Sequence, residues 1–302
     1  MVGRPVLTSP PTSEPIALTL VKEMLRVDAG DTSQDGYLTL AISTARETCE
    51  SHTSRGYVMQ GYREYYDGFP GHHFPLTLID GYDGDPSALA TLGSWRGERR
   101  HHHKHHFELS RSALRTFTQI QYLDMTGAMQ TLDPSQYVLN NRQDPAEITP
   151  APESLGGLSW PIALRQVNSV WIDYVVGASI LVASIAANAS VLTGVAGYTF
   201  TTADVGSIIS IPGAGIAGAP LLTSIASVDG SGNATVAAQA LTASSAAIAI
   251  LGPQLPFGDI QAMLMLIGHW DANRLPIQQG IPKEIDYAVK FLLDRGRVYY
   301  QP

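Results

Sequence analysis

Apolar residues recur at helical spacing near both ends of the chain. From Asp35 onward they follow the i, i+3/i+4, i+7 pattern that places one buried face along a helix. Asp35 is a suitable N-cap, and this helix is expected to end near Thr53. A shorter amphipathic helix capped by Thr19, with Lys22 facing solvent, precedes it. The apolar positions of the longer helix are Leu38, Ala41, Ile42, Ala45 and Cys49.

Two more helices are predicted towards the C-terminus. One starts near Ile260 and is apolar on nearly every side, which is typical of a helix that neighbours bury from several directions. The last begins after Pro282 and carries an apolar stripe. The tail that follows, Asp294–Pro302, is basic and aromatic.

Between these helices, β-prone segments alternate with turn signals. Two of them, separated by a short turn, predict a β-hairpin. In another, Val170, Ile172, Tyr174 and Val176 share one face because side chains alternate along a strand. The predicted strands are Met59–Asp67, Phe117–Asp124, Ala128–Leu132, Gln136–Leu139 and Val167–Val176.

The block from Gly177 to Gly252 differs in composition from the rest of the chain. It contains two charged residues, Asp204 and Asp229, and is rich in Ala, Gly, Ser, Thr, Ile and Val. Turn signals separate short apolar segments in it, which predicts a β module. The segments it predicts as strands are Ser207–Ile211, Leu221–Val228 and Ala234–Ala238.

These patterns predict an α+β fold. We expect an extended, proline-rich arm over residues 1–18, and a core formed by residues 19–176 and 253–302. That core should be helical with a small antiparallel sheet, and residues 177–252 should form an inserted all-β module.

The composition and net charge of the chain argue against several classes of protein. With 44% hydrophobic and 15% charged residues over 302 positions, the chain is globular rather than disordered. Its net charge of −8 argues against a dedicated DNA-binding protein. The N-terminus lacks the apolar segment of a signal peptide, and no long apolar run predicts a membrane helix, so we expect a soluble protein made in the cytosol.

No motif predicts catalysis or a cofactor. The one cysteine, Cys49, excludes a disulfide framework and lies among apolar positions of the long helix. Gly213, Gly215 and Gly218 match a dinucleotide-binding pattern, but they lie among β segments and favour a turn. Asp80, Asp83 and Asp85 lack the spacing of a calcium loop and fit a polar turn. We therefore expect a non-enzymatic protein without a cofactor.

The histidine run from His101 to His106 leaves more than one interpretation open. Consecutive histidines on a loop lack the fixed spacing and supporting carboxylates of a zinc or iron site, so no functional metal is expected. The run fits a solvated loop, or a patch that becomes cationic in mild acid, since imidazole titrates near pH ~6.5.

Read together across the block, the flanks resemble a known family. The segments that carry the resemblance are Thr19–Asp28, Asp35–Arg55, Tyr66–Pro70, Ile120–Asp124, Gln130–Asp133, Tyr137–Leu139, Ser159–Pro161, Val170–Tyr174, Pro256–Asn273 and Ile281–Leu293. In this order they are similar to the head-to-tail connector (adaptor, head-completion) proteins of tailed bacteriophages. The block itself resembles β modules of phage fibre and surface proteins, notably at Phe200–Gly206 and Pro212–Gly215.

The resemblance implies a structural virion protein of the neck, assembled in the host cytoplasm. Copies would form a ring of about twelve, docked on the portal protein and joined to a stopper, head-closure or tail-terminator protein. Genomic DNA would pass through the lumen without sequence-specific binding. The implied portal-binding residues are Arg295, Arg297, Tyr299 and Tyr300, and the insert would contact a capsid or decoration protein.

A second hypothesis assigns the function to the β module. In that case the module is an adhesin or a capsid-decorating domain of a phage particle, and the flanks are only its base.

Overall fold

The computed structural model describes residues 3–70, 106–151, 160–229, 233–273, 283–295 and 297. Within these ranges the chain forms three antiparallel β-sheets and a layer of α-helices. The helices are α1 (Leu18–Leu25), α2 (Asp35–Thr53), α3 (Phe257–Ala272) and α4 (Lys283–Asp294).

The predicted long helix is confirmed over Asp35–Thr53. Its buried face holds the predicted residues, including Leu38, Ala45 and Cys49. The N-cap position belongs to Gln34, however, and Asp35 instead forms an ion pair with Lys22 at 2.5 Å. The prediction that Lys22 faces solvent is therefore wrong, because this pair and the Asp31 carbonyl hold its ammonium inside. The helix before it begins at Leu18 and is not capped by Thr19.

The first sheet forms the centre of the fold. Its strand order is β1 (Arg4–Ser9), β2 (Gln60–Tyr66), β8 (Val170–Val176), β4 (Leu114–Leu123) and β5 (Met129–Thr131). As predicted, alternate residues of β8 are buried on one face, and β4 and β5 form the hairpin. The N-terminal arm contributes an edge strand, β1, which pairs with β2.

A small second sheet covers the inner face of the first. Its strands are β3 (Phe107–Glu108), β7 (Glu147–Pro150) and β6 (Tyr137–Asn140). Aromatic rings fill the space between the two sheets: the Phe69 ring lies 5.3 Å from that of Trp160, and Tyr66 lies 4.6 Å from Phe107, between centroids. These rings belong to one buried core.

The third sheet lies within the charge-poor block and closes on itself. Its order is β10 (Thr193–Ala196), β9 (Ser179–Ile185), β14 (Ser244–Leu251), β11 (Ile208–Ile211), β12 (Leu221–Val228) and β13 (Ala234–Val236). The segment before β10 returns to β13, where the Leu192 amide donates to the Ala234 carbonyl at 2.9 Å. The enclosed core is apolar, with Leu181, Ile209 and Ile225 fully buried.

These sheets correct the expected fold class. The expectation of a helical connector core with a small antiparallel sheet is wrong, because the protein is mostly β and the helices form one layer beside the central sheet. Across the described ranges, no helix has the length and apolar character needed to span a bilayer.

A buried carboxylate joins the helical layer to the central sheet. Glu50 of α2 accepts hydrogen bonds from the Tyr57 amide at 2.8 Å, the Gln60 amide side chain at 2.6 Å and Arg46 at 2.8 Å. Burial raises the pKa of Glu50 above its ordinary value, although these donors oppose the rise. The Gln60 and Tyr57 contacts fix α2 against β2 and the segment before it, and the Arg46 contact lies within α2.

A second buried carboxylate, Glu64, lies between the two sheets. It accepts hydrogen bonds from the hydroxyls of Tyr66 and Tyr174, each at 2.8 Å, and from the amide and hydroxyl of Ser110. Burial is also the largest cause here, and it raises the pKa of Glu64. One carboxylate therefore connects β2, β8 and the loop after β3.

Candidate interaction surfaces

The motifs considered above as catalytic, cofactor or metal sites either have structural roles or lie outside the described residues. Gly213 and Gly218 have φ of 78° and 81° and form a turn between β11 and β12. Cys49 is buried, which raises the pKa of its thiol to about 12. Over the described ranges, no cluster of His, Cys, Asp and Glu side chains has the geometry to hold a metal ion. The three aspartates at 80, 83 and 85 and the histidines at 101–105 lie outside those ranges.

The helix-end surface is where α3 begins and α4 ends. It comprises Phe257, Phe291, Asp294, Arg295 and Arg297. A methyl group added at Gly258 would lie 3.8 Å from the Leu292 carbonyl oxygen, so the residues on either side come close together. The two phenylalanines are nevertheless 84% and 67% exposed. This end of the helical layer presents aromatic and basic side chains together.

An ion pair ties the helix-end surface to α2. The His52 Nε2 lies 2.9 Å from the Asp294 Oδ1, and the Arg297 guanidinium lies 3.9 Å from the same oxygen. An open cavity of about 640 Å³ lies beside this pair, lined by Glu47, Thr48, Ser51, His52 and Arg297. The last turn of α4 is therefore held at the C-terminal end of α2.

The structure places half of the predicted portal-binding set on this surface. Arg295 and Arg297 are exposed there, whereas Tyr299 and Tyr300 lie outside the described residues. Phe257 and Phe291 were not among the residues predicted for this site. A signal existed for Phe291, because it falls off the apolar stripe formed by Val289, Leu292 and Leu293 in the last helix.

The hairpin surface lies at the other end of the central sheet. It comprises Met125, Met129, Ile162 and Val167, each between 60% and 64% exposed. The turn after β4 supplies Met125, β5 supplies Met129, and the segment before β8 supplies the other two. The Leu164 amide donates to the Leu123 carbonyl at 2.7 Å, which brings that segment against the hairpin.

The two surfaces lie at opposite ends of β8. Val170 pairs with Tyr122 next to the hairpin, and the Ser169 carbonyl accepts from Leu123 at 2.9 Å. At the other end, Val176 contacts Gly56, which follows α2 and its His52–Asp294 pair. Six residue steps along the strand separate these ends by about 20 Å.

The outer face of the third sheet is a further apolar surface, which we name the module face. Its most exposed members are Ile208, Leu222 and Ile248, on three adjacent strands. Ile180, Val182 and Ile250 continue it, and they are partly buried. Among the described residues, the strands of this face contribute no charged side chain: Asp204 is buried, and Asp229 lies in the turn after β12, where it accepts a hydrogen bond from Asn233.

The third sheet is fixed to the central sheet by one arginine. Arg115 of β4 donates to the Leu251 carbonyl at 2.7 Å, to the Tyr198 hydroxyl at 3.0 Å and to Asp204 at 3.0 Å. Asp204 also accepts from the Thr201 amide at 2.8 Å. Asp204, one of the two charged residues of the block, therefore lies at the junction between the block and the central sheet.

Comparisons with known proteins give only distant likenesses. No protein-family profile matches the sequence, and no curated protein is significantly similar to it. Three solved structures resemble the fold over almost the whole chain.

The first of these structures is described as the virion of a native gene transfer agent particle; it is 12% identical, covers 99% of this chain and 97% of its own, and has a TM-score of 0.48. The second, the neck of an empty particle of the same kind computed with C6 symmetry, is 14% identical over 100% of this chain and 98% of its own, with a TM-score of 0.47. The third, the neck of the native particle computed with C12 symmetry, has the same identity and coverage and a TM-score of 0.44. Likenesses at this level do not assign the chain to a family.

Proposed function

We propose that this chain is a structural protein of the neck of a phage-like particle. Copies of it form a ring that joins the head to the tail, and DNA passes through the lumen. The observation that carries the proposal is the helix-end surface, where two exposed phenylalanines lie beside Arg295 and Arg297. Aromatic and arginine side chains are enriched at protein interfaces, so this end suits docking on another protein. Two of the similar solved structures are described as necks of gene transfer agent particles, and the third as the virion of such a particle.

The portal protein is the proposed partner of this end. Arg295 and Arg297 would meet its carboxylates, and Tyr299 and Tyr300 would fill its pockets. On its other side the ring would meet a stopper, head-closure or tail-terminator protein. The net charge of −8 suits a lumen that DNA passes without binding, since like charges repel. In this role the chain is a scaffold and performs no chemistry.

Deletion of residues 295–302 tests the docking role. The truncated protein should no longer bind immobilised portal protein, and its thermal unfolding should match that of the full chain, because the deleted residues follow the last helix. Arg142→Ala is the control, since Arg142 is an exposed arginine of the loop between β6 and β7. Full portal binding by the truncated protein would exclude this role for the tail.

A second function is favoured by the module face. An uncharged apolar surface on three adjacent strands is typical of an interface. It suits a β module that decorates the capsid or binds a host surface. Replacing residues 178–251 by a short Gly-Ser linker, together with Arg115→Met because the partners of Arg115 lie in this block, separates the two functions. If the neck function is right, particles with this deletion still join heads to tails; if the module carries the function, they lose binding to capsid or host while the neck is intact.

A further inference from the structure

We infer that copies of this chain contact one another head to tail, with the hairpin surface of one copy covering the phenylalanines of the helix-end surface of the next. This inference rests on the ring proposed above and names the surfaces that build it. The phenylalanines then face the neighbouring copy, and the proposed portal contact belongs to Arg295, Arg297 and the residues that follow them.

Both surfaces have the apolar composition of surfaces that another protein covers. Single exposed apolar side chains are ordinary on a soluble protein, whereas several that lie together mark an interaction site. At the hairpin four such side chains come from two segments that a backbone hydrogen bond holds side by side. At the helix end, Phe257 and Phe291 come from two helices in contact.

The two surfaces are complementary in chemistry. The hairpin surface offers the thioethers of Met125 and Met129, which adapt to the shape of a partner and make favourable contacts with aromatic rings. The helix-end surface offers the rings of Phe257 and Phe291. A contact of one with the other therefore combines flexible apolar side chains with rigid ones.

The charges at the rims are complementary as well. Asp124 precedes Met125, and the hydrogen bond from the Thr126 hydroxyl is the main cause that lowers the pKa of Asp124 to about 2. Its counterpart is Lys290, an exposed cation that precedes Phe291. Arg295 and Arg297 add two more cations to the helix-end surface, where Asp294 is already paired with His52 and Arg297. Contact between the two surfaces thus brings the Asp124 carboxylate to a group of cations, and contact of the helix-end surface with itself would bring those cations together.

The positions of the surfaces argue for a repeated contact between copies. A contact between two different surfaces of the same chain is heterologous, and it propagates until the rotation between copies closes a ring. The hairpin and helix-end surfaces lie at opposite ends of β8, so one copy is able to use both at once. A second copy of this chain carries both surfaces, so it is the partner that we assign to each of them.

Two single substitutions and their mixture test this arrangement. Met129→Lys disrupts the hairpin surface, and Phe291→Lys disrupts the helix-end surface; lysine suits both an edge strand and the last turn of a helix. Sedimentation velocity should show oligomers for the natural sequence and monomers for each variant, with self-association weakened at least about tenfold. An equimolar mixture of the variants should form a one-to-one dimer and nothing larger, because each variant retains the surface that the other lacks.

Matched controls separate contact from folding. Ile216→Lys places the same charge at an exposed isoleucine of the segment between β11 and β12 and should assemble like the natural sequence. Met125→Lys and Phe257→Lys form an independent pair for the same mixing experiment, in case one of the first variants unfolds. Thermal unfolding of every variant checks its fold.

The possible results distinguish this inference from the proposed function. If the natural sequence assembles and all four variants assemble equally well, the contact lies elsewhere and the ring stands. If the variants are monomers and their mixture stays monomeric, the contact is not heterologous and the inference is overturned. If the natural sequence itself stays monomeric up to high concentration, the ring is overturned together with its interface.

Discussion

The Arg115 Nη2 lies 3.0 Å from the Asp204 Oδ1, and this pair joins the central sheet to the third sheet. Both side chains are buried. The arginine also donates to the Leu251 carbonyl, and its guanidinium lies 5.6 Å from the centroid of the Tyr198 ring. Asp204 has four donors around it, so the pair is completely hydrogen-bonded rather than an isolated buried charge.

Removal of one partner of this pair should be costly. Asp204→Asn or Arg115→Met leaves an unpaired buried charge, which typically lowers the free energy of unfolding by about 3–5 kcal/mol. Urea unfolding of both single variants and of the double variant measures the coupling, and the double variant should lose much less than the sum. The pair of Arg55 and Asp144, at 3.3 Å, is more exposed and is the control, where Arg55→Met should cost clearly less than either substitution at the buried pair. Additive losses at Arg115 and Asp204 would contradict a coupled pair.

Glu64 should make the stability depend on pH. Its pKa is raised by burial, so the folded protein holds the proton more tightly than the unfolded chain does. This contribution is fully present below the unfolded value near ~4.3 and is lost as the pH rises through the folded pKa. Glu64→Gln has no titrating group at this position, so its stability lacks this dependence on pH. The free energy of unfolding of the natural sequence, taken relative to that of Glu64→Gln, should therefore fall as the pH rises.

Urea unfolding at several pH values measures this difference. Glu47→Gln serves as the control, because the Glu47 side chain is mostly exposed, and its stability relative to the natural sequence should change little over the same range. A constant difference between the natural sequence and Glu64→Gln at every pH would rule out titration of Glu64.

Gly177 should be intolerant of any side chain. It has φ of 85°, and a Cβ there would overlap the backbone of Val58. Gly177→Ala should therefore lose clearly more stability than Gly206→Ala, where φ is 86° and nothing lies within 4 Å of an added Cβ. The second substitution measures the backbone strain alone, about 1–2 kcal/mol. Equal losses in thermal unfolding would show that the close approach to Val58 is unimportant.

The His52–Asp294 pair should hold the last turn of α4 without stabilising the whole protein. Exposed pairs contribute about 0–1 kcal/mol, so His52→Ala should change the global free energy of unfolding by less than this. The amides of the last turn of α4 should nevertheless exchange with solvent several-fold faster, as measured by hydrogen–deuterium exchange. Thr48→Ala, one turn earlier on the exposed side of α2, is the control and should leave that exchange unchanged. Unchanged exchange in His52→Ala would remove the pair as the anchor of this turn.

The helices were predictable because their signal is local. The spacing from Leu38 to Cys49 fixes the buried face of α2, and its end at Thr53 follows from the same pattern. Lys22 was misplaced because its partner Asp35 belongs to the next helix. A lysine looks exposed in any single window, and only tertiary contacts bury it.

The β core was underestimated for a related reason. Strands such as Phe107–Glu108 and Glu147–Pro150 are too short to show an alternating pattern, and β1 contains a proline. Their pairing depends on distant partners that no local window contains. The exposed phenylalanines of the helix-end surface were missed for the same reason. Whether a side chain is exposed depends on which distant segments pack against it, and a local window of sequence does not show these segments.

The two ends of the charge-poor block meet in space. Ser179, at its start, pairs with Leu251, at its end, and a Cβ at Gly252 would lie 3.7 Å from the Ala178 Cα. The chain therefore leaves the central sheet and returns to it at nearly the same place, whatever the length of the block. A fluorescent or affinity domain with adjacent termini should be accepted in place of residues 178–251 in a chain that also carries Arg115→Met, because the partners of the Arg115 guanidinium lie within the exchanged segment.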